Sequence, residues 1–226
     1  MEHPILFLDL LFGSFGLHIP PHVSYAVLTA LILVGLGWLA GRNVTLVPKG
    51  AQNVFETVVS GLEEFMVDVT GEEGRAFFPF IATIFLFIMS CNLMGLFPGF
   101  HSATANINTT LALALCTFVY THYLGIKYHG AKYIKHFMGP IPALAPLFFI
   151  IEIIGHFARV LSLTLRLFGN IMGEDLVLAI LLLLAGVYLA PVVIMSFLAV
   201  FTSVVQAFVF TLLSMMYFAG AMEHAH

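Results

Sequence analysis

The sequence predicts an all-α integral membrane protein made of upright transmembrane helices, a long tilted two-helix hairpin and one amphipathic helix at the interface. Three observations lead there. Hydrophobic residues make up 61% of the chain and charged residues only 9%, against roughly 45–50% and 25% in a soluble domain. Several stretches run 18 residues or more without a charge, the length a helix needs to cross about 30 Å of hydrocarbon. Two of the eight basic residues, Arg159 and Arg166, lie inside the longest apolar region. The longest polar stretch, from Arg42 to Gly74, is too short to bury a core of its own, so residues 1–226 are expected to form a single membrane domain with lipid as its solvent.

The elements follow in order. Residues 1–22 form an N-terminal segment with neither a basic leader nor a small-residue cleavage site, so no secretory signal peptide is expected. Apolar runs between turn residues predict spans at about 23–41, 77–97 and 108–126. Between the first two, over about 52–69, Val54, Phe55, Val58, Val59, Leu62, Phe65, Met66 and Val69 recur at three- and four-residue steps, which is one face of a helix. Glu56, Glu63, Glu64 and Asp68 take the other side. An acidic polar face favours docking on protein over anionic lipid, with the helix lying at the interface.

The region 143–220 needs a different geometry. A continuous helix from Leu144 to Ala185 would measure roughly 60 Å, twice the hydrocarbon thickness, so it either tilts or breaks near Gly169 to Gly173. A break in lipid would strand backbone polar groups at several kcal/mol each, which favours a tilted hairpin turning at Gly186 to Pro191 and returning over Val192 to Gly220. Arg42, Lys49 and Arg75 follow the first span, and Lys127, Lys132 and Lys135 follow the third. The positive-inside rule makes both loops cytoplasmic, the N-terminus external and the C-terminus cytoplasmic.

The intramembrane charges point to function. Glu152, Arg159 and Arg166 are spaced by seven, with His156 one turn from Glu152. An arginine at mid-bilayer costs between about 2.5 and 17 kcal/mol, so it faces protein, water or a counter-charge. A structural ion pair between Glu152 and Arg159 is one reading of those two. Arg166 has no carboxylate within one turn on either side; Glu174 and Asp175 lie eight and nine residues on. Its guanidinium is therefore a permanent cation that favours the ionised form of a passing carboxylate and repels mobile cations. Counting from Tyr188, Gln206 on the returning helix reaches a depth similar to that of Arg166. The polar groups divide into Glu152 on one side of Arg166 and Glu174 and Asp175 on the other.

At LSLTLRLFGN, residues 161–170, the chain resembles subunit a of F-type ATP synthases. The likeness extends to NLMGLFPG at 92–99, to Glu152 fourteen residues before the arginine, to the GED segment after it and to VVQAFVFTLLSMMYF at 204–218. The resemblance implies a non-catalytic, proton-translocating stator subunit of a bacterial-type plasma (inner) membrane, partnered by a ring of c subunits and by peripheral-stalk b subunits, with no cofactor. It places Arg166 opposite the ring carboxylates, between two aqueous half-channels. Asn170, Glu174 or Asp175, and Gln206 would belong to the external half-channel, and Glu152 and Ser162 to the cytoplasmic one. Many family members carry His or Glu seven residues before the glutamine, where this chain has Ala199. His156 could replace that group only if folding brought it close.

A stand-alone channel or secondary transporter is the competing expectation, although a transporter would show two similar halves and no internal repeat is visible. A haem enzyme would need paired axial ligands on apolar helices, and only His122 and His156 approach that. His122, His129 and His136 also repeat every seven residues, the last two beside a Lys-rich loop. The net charge of −4 implies no nucleic-acid partner. Cys91 and Cys116 sit in separate apolar stretches and read as small apolar fillers.

Overall fold

The structure, a computed structural model, describes residues 7–8, 19–42, 50–97, 99–130, 133, 144–185 and 190–222. All regular structure among them is helical. Helix α1 (Pro21–Gly41) starts on Pro21, whose missing N–H falls where the first turn has no partner for one. Helix α2 (Ala51–Thr70) stops at Gly71, whose φ of +74° and N–H to the Val67 carbonyl close the last turn. A 3-10 turn (Glu72–Phe77) leads into α3 (Phe78–Met94). Helix α4 (Ile107–His129) is capped by Asn106, whose side chain accepts from the Asn108 N–H, and carries Lys127 and His129 in its last turn, where cations oppose the helix dipole.

Helix α5 (Ala145–Ala185) runs through 41 residues without interruption. Gly169 and Gly173, the candidate break, are helical, because a chain in lipid keeps its backbone bonds within the segment. Helix α6 (Ala190–Met222) follows. Pro191 lies in its first turn, where proline is tolerated, and so belongs to the helix and not to the expected turn; Gly186 lies outside the described residues. Five helical segments among those described are long and apolar enough to cross a membrane: α1, the 3-10 turn with α3, α4, α5 and α6. The chain is a multi-pass, all-helical membrane protein.

α5 packs on α4 and α6, and α6 on α3 and α4. Phe77, Ile81 and Ile88 of α3, Leu124 of α4, Leu163 and Leu167 of α5, and Phe210, Met215 and Phe218 of α6 form the shared core. Phe80 stacks on Tyr120 at 4.3 Å, and both touch Phe218. Lipid tails are as apolar as leucine, so close packing of this kind replaces the hydrophobic drive between helices.

The expected apolar face of α2 is only partly used. Leu62 and Met66 are buried and Phe65 packs on Phe208 of α6 at 4.9 Å, while Val54 and Val58 stay exposed. Arg75 binds two acids, Glu63 at 3.0 Å and Glu72 at 2.7 Å.

The loop between α3 and α4 is tied down by polar groups. Thr104 donates to Asn92 Oδ1 at 2.5 Å, and Asn92 Nδ2 donates to the Ser203 carbonyl of α6 at 3.3 Å. Tyr25 of α1 donates to the Gly99 carbonyl at 3.0 Å. Gly99 holds φ +87°, and the Phe7 ring lies where a β-carbon would be, so two constraints demand glycine there.

Candidate functional site

Arg166 projects from α5 on a face that is exposed among the described residues, together with Ser162, Gly169 and Asn170. Ser162 Oγ receives a hydrogen bond from Arg166 Nη2 at 3.4 Å. Among the described residues no carboxylate pairs with Arg166; the ion pairs are Arg75 with Glu63 and Glu72, and His156 with Glu152. A guanidinium carries five N–H donors, so most of its capacity points away from its own helix.

One turn further on, Asn170 Nδ2 donates to Gln206 Oε1 at 2.6 Å, joining α5 to α6. The sequence set Gln206 at the depth of Arg166; its direct partner in the structure is Asn170, one turn beyond that arginine. Gln206 is buried, and its Nε2 has no hydrogen-bond partner among the described residues. Glu174 also has a shielded oxygen, Oε2, without a partner among them. Asp175 is half-buried beside it. Unpaired buried polar atoms are costly and cluster where water or a partner group passes. Ala199, in the position where the resemblance expects a His or Glu, is buried.

On the opposite side of Arg166 stands a second polar group. His156 Nε2 lies 3.4 Å from Glu152 Oε1. The Glu152–Arg159 ion pair considered from the spacing does not form; Arg159 instead stands over the Tyr217 ring at 5.5 Å, a contact that holds a cation on an aromatic face. His156 turns towards α4, with its ring 4.8 Å from that of His122. It cannot replace the missing group near Ala199, because nineteen residues of helix, roughly 28 Å, separate it from Asp175. His122 Nδ1 meets the Tyr133 hydroxyl at 2.9 Å.

The structure therefore separates the residues singled out in the sequence into three sets along α5. Glu152 and His156 form one, Ser162 and Arg166 the second, and Asn170 with Gln206 the third, with Glu174 and Asp175 one turn beyond. Sequence reasoning set His122 aside and did not single out Tyr133. The usable signal was a histidine inside an apolar span with Thr117 and Thr121 on nearby turns, since an ionisable group at membrane depth is expensive.

The profile of the ATP synthase A chain family matches residues 23–219. The chain is 58% identical over 240 residues to the ATP synthase subunit a of Syntrophobacter fumaroxidans, covering all of both chains. It is 58% identical over 230 residues to that of Desulfosudis oleivorans and 49% identical over 232 residues to that of Trichlorobacter lovleyi, again over the full length of each. With the match spanning every helix described above, the chain belongs to the ATP synthase A chain family.

Proposed function

We propose that this chain is the proton-conducting stator of a rotary ATP synthase, a single membrane domain with two half-channels and Arg166 as the barrier between them. The observation that carries this reading is an exposed guanidinium whose one hydrogen bond among the described residues is to Ser162, flanked along the same helix by two separate polar groups. A cation with no counter-charge of its own in a bilayer requires one from elsewhere. A ring of c subunits, each with a carboxylate at mid-membrane, supplies it.

The chemistry is proton transfer without covalent change in this chain; ATP is made elsewhere in the complex. A protonated ring carboxyl approaching Arg166 gives its proton to the Glu152 side, because the fixed positive charge favours the carboxylate. The carboxylate passes Arg166 and takes a new proton on the Asn170, Gln206 and Asp175 side, or the sequence runs in reverse. Glu174, with its unpaired oxygen, stands with Asp175 on that path. Free protons do not bypass the ring, since the positive charge of Arg166 repels them. One charge crossing 100 mV yields about 2.3 kcal/mol, which becomes torque.

With the Lys-bearing loops cytoplasmic, the N-terminus is external, the C-terminus cytoplasmic, and Glu152 and His156 lie on the cytoplasmic side. α5, at roughly 60 Å, crosses at a steep tilt and forms a hairpin with α6. The exposed acids of α2, Glu56, Glu64 and Asp68, face the peripheral-stalk b subunits. The direct experiment is Arg166→Ala in the assembled complex, with ATP-driven acidification of inverted vesicles as the readout. Pumping is expected to vanish while the subunit still co-purifies with the ring; full coupled pumping would overturn the reading.

A further inference from the structure

Between α4 and α5, on the Glu152 side of Arg166, four proton-bearing groups stand in file. Glu152 Oε1 is 3.4 Å from His156 Nε2. The His156 and His122 rings are 4.8 Å apart, centroid to centroid and inclined by 59°. His122 Nδ1 is 2.9 Å from the Tyr133 hydroxyl. Tyr133 is buried and lies beyond the last residue of α4, so the file leads from the carboxylate past the end of that helix.

Beside it is a cavity of about 20 Å³ lined by Thr117, Thr121, His156, Arg159 and Tyr217 among others, room for one water. Thr117 and Thr121 donate their hydroxyl protons to the Leu113 and Thr117 carbonyls of their own helix. Their oxygens are thus left as acceptors for that water. The set is more polar than packing requires, since apolar side chains would fill the gap at lower cost.

We propose that these groups form a proton relay, running from Glu152 through His156 and His122 to Tyr133, that connects the Glu152 side of the site to the C-terminal end of α4. The inference rests on the stator reading above and names the route by which its cytoplasmic half-channel drains. Imidazole suits the task because it takes a proton at one ring nitrogen and releases another from the second. A proton leaving the Glu152 carboxyl binds Nε2 of His156. The proton on Nδ1 then passes to Nε2 of His122, whose own Nδ1 proton goes to the Tyr133 oxygen as the phenol releases its hydrogen outward. Each ring finishes in the other tautomer and regains the first by exchanging its ring protons with water, so proton count and charge balance.

Burial, with Glu152 adding to it and Arg159 opposing, pushes the Tyr133 phenol above its ordinary range, so it serves as a hydroxyl and not as a phenolate. Among the described residues, the charged and titratable groups facing the two imidazoles are Glu152 and Arg159 of α5, Tyr217 of α6 and Tyr133. The fixed charge of Arg159 disfavours a second imidazolium, which limits the file to one proton at a time.

The test uses the complete ATP synthase in inverted membrane vesicles, measuring ATP-driven acidification and, after removal of the catalytic sector, passive proton conductance. Glutamine at either histidine keeps hydrogen-bonding reach and cannot carry a proton. His156→Gln and His122→Gln are each expected to lower conductance roughly tenfold or more with normal assembly, and Tyr133→Phe to lower it less. His156→Ala opens a gap the size of the lost ring, and added imidazole is expected to restore part of its conductance without affecting the wild type. Wild-type conductance in both glutamine variants would overturn the relay, as would imidazole failing to raise the rate of an assembled His156→Ala complex. Arg166→Ala, run in parallel, separates the two ideas: pumping retained there removes the stator reading, whereas pumping lost there beside wild-type rates in the glutamine variants removes only the relay.

Discussion

At the scale of single residues, the site depends on which polar atoms are paired and which are left open. Asn170 donates to Gln206 Oε1 across α5 and α6 at 2.6 Å, while Gln206 Nε2 is buried and unpaired among the described residues. Gln206→Leu removes the acceptor and leaves the Asn170 amide without its partner. A destabilisation of about 1–3 kcal/mol is expected, together with loss of most proton pumping. Gln206→Glu keeps an acceptor and is expected to retain more of both. Thermal unfolding in detergent and vesicle acidification would separate the two effects, and equal damage from both substitutions would show that the hydrogen bond is not what matters. Arg166 was legible from spacing alone, because no acid stood within one turn of it. The pairing of Asn170 with Gln206 was not, since it joins positions 36 residues apart.

At the scale of elements, α5 has two kinds of face. Leu163, Leu167 and Ile171 are buried in the core. Ser162, Arg166, Gly169 and Gly173 form the uncovered side, and a β-carbon added at Gly169 or Gly173 would meet nothing within 4 Å. Gly169→Leu therefore leaves the fold of this chain intact and, by relieving a mid-helix glycine, stabilises it by up to about 1 kcal/mol. In the complex, the same side chain would stand between Arg166 and the rotor, and pumping is expected to fall severalfold or more. Normal pumping in Gly169→Leu would mean that no partner approaches this face closely. Gly173→Pro acts differently: it removes a backbone hydrogen bond and costs about 3 kcal/mol or more, to be read as loss of the assembled subunit.

Helix existence was largely legible in the sequence, because apolar run length and charge-free stretches follow directly from the thickness of hydrocarbon. Boundaries were less so. The second span begins as a 3-10 turn at Glu72 before the α-helix at Phe78, since the Glu72–Arg75–Glu63 ion pairs and the Gly71 cap are tertiary and local features that hydropathy does not register. The apolar stripe of α2 was visible as a period, yet Val54 and Val58 of that stripe stay exposed among the described residues, because burial depends on which neighbours pack there and not on the period.

At the scale of the whole molecule, stability comes from buried polar ties between distant segments more than from surface charge. Asn92 links the loop after α3 to α6 through Thr104 and the Ser203 carbonyl. Asn92→Leu removes both bonds and is expected to cost about 1–3 kcal/mol. Arg75→Ala breaks two ion pairs whose arginine side chain is 57% exposed, and less than about 1 kcal/mol is expected. Comparing the two unfolding temperatures checks the ranking; a larger loss at Arg75 would show that the α2 junction, and not the loop after α3, holds the bundle together.

By itself the sequence determined the solvent, the helical class, the approximate spans and the isolation of Arg166, because each follows from local quantities: run length, period and the distance to the nearest charge along one helix. Tertiary structure decided who meets whom. It gave Glu152 to His156 instead of Arg159, Gln206 to Asn170, and His122 to both His156 and Tyr133. Those choices depend on how α4, α5 and α6 are rotated against one another, and rotation is set by packing across the whole core, which no window of sequence contains.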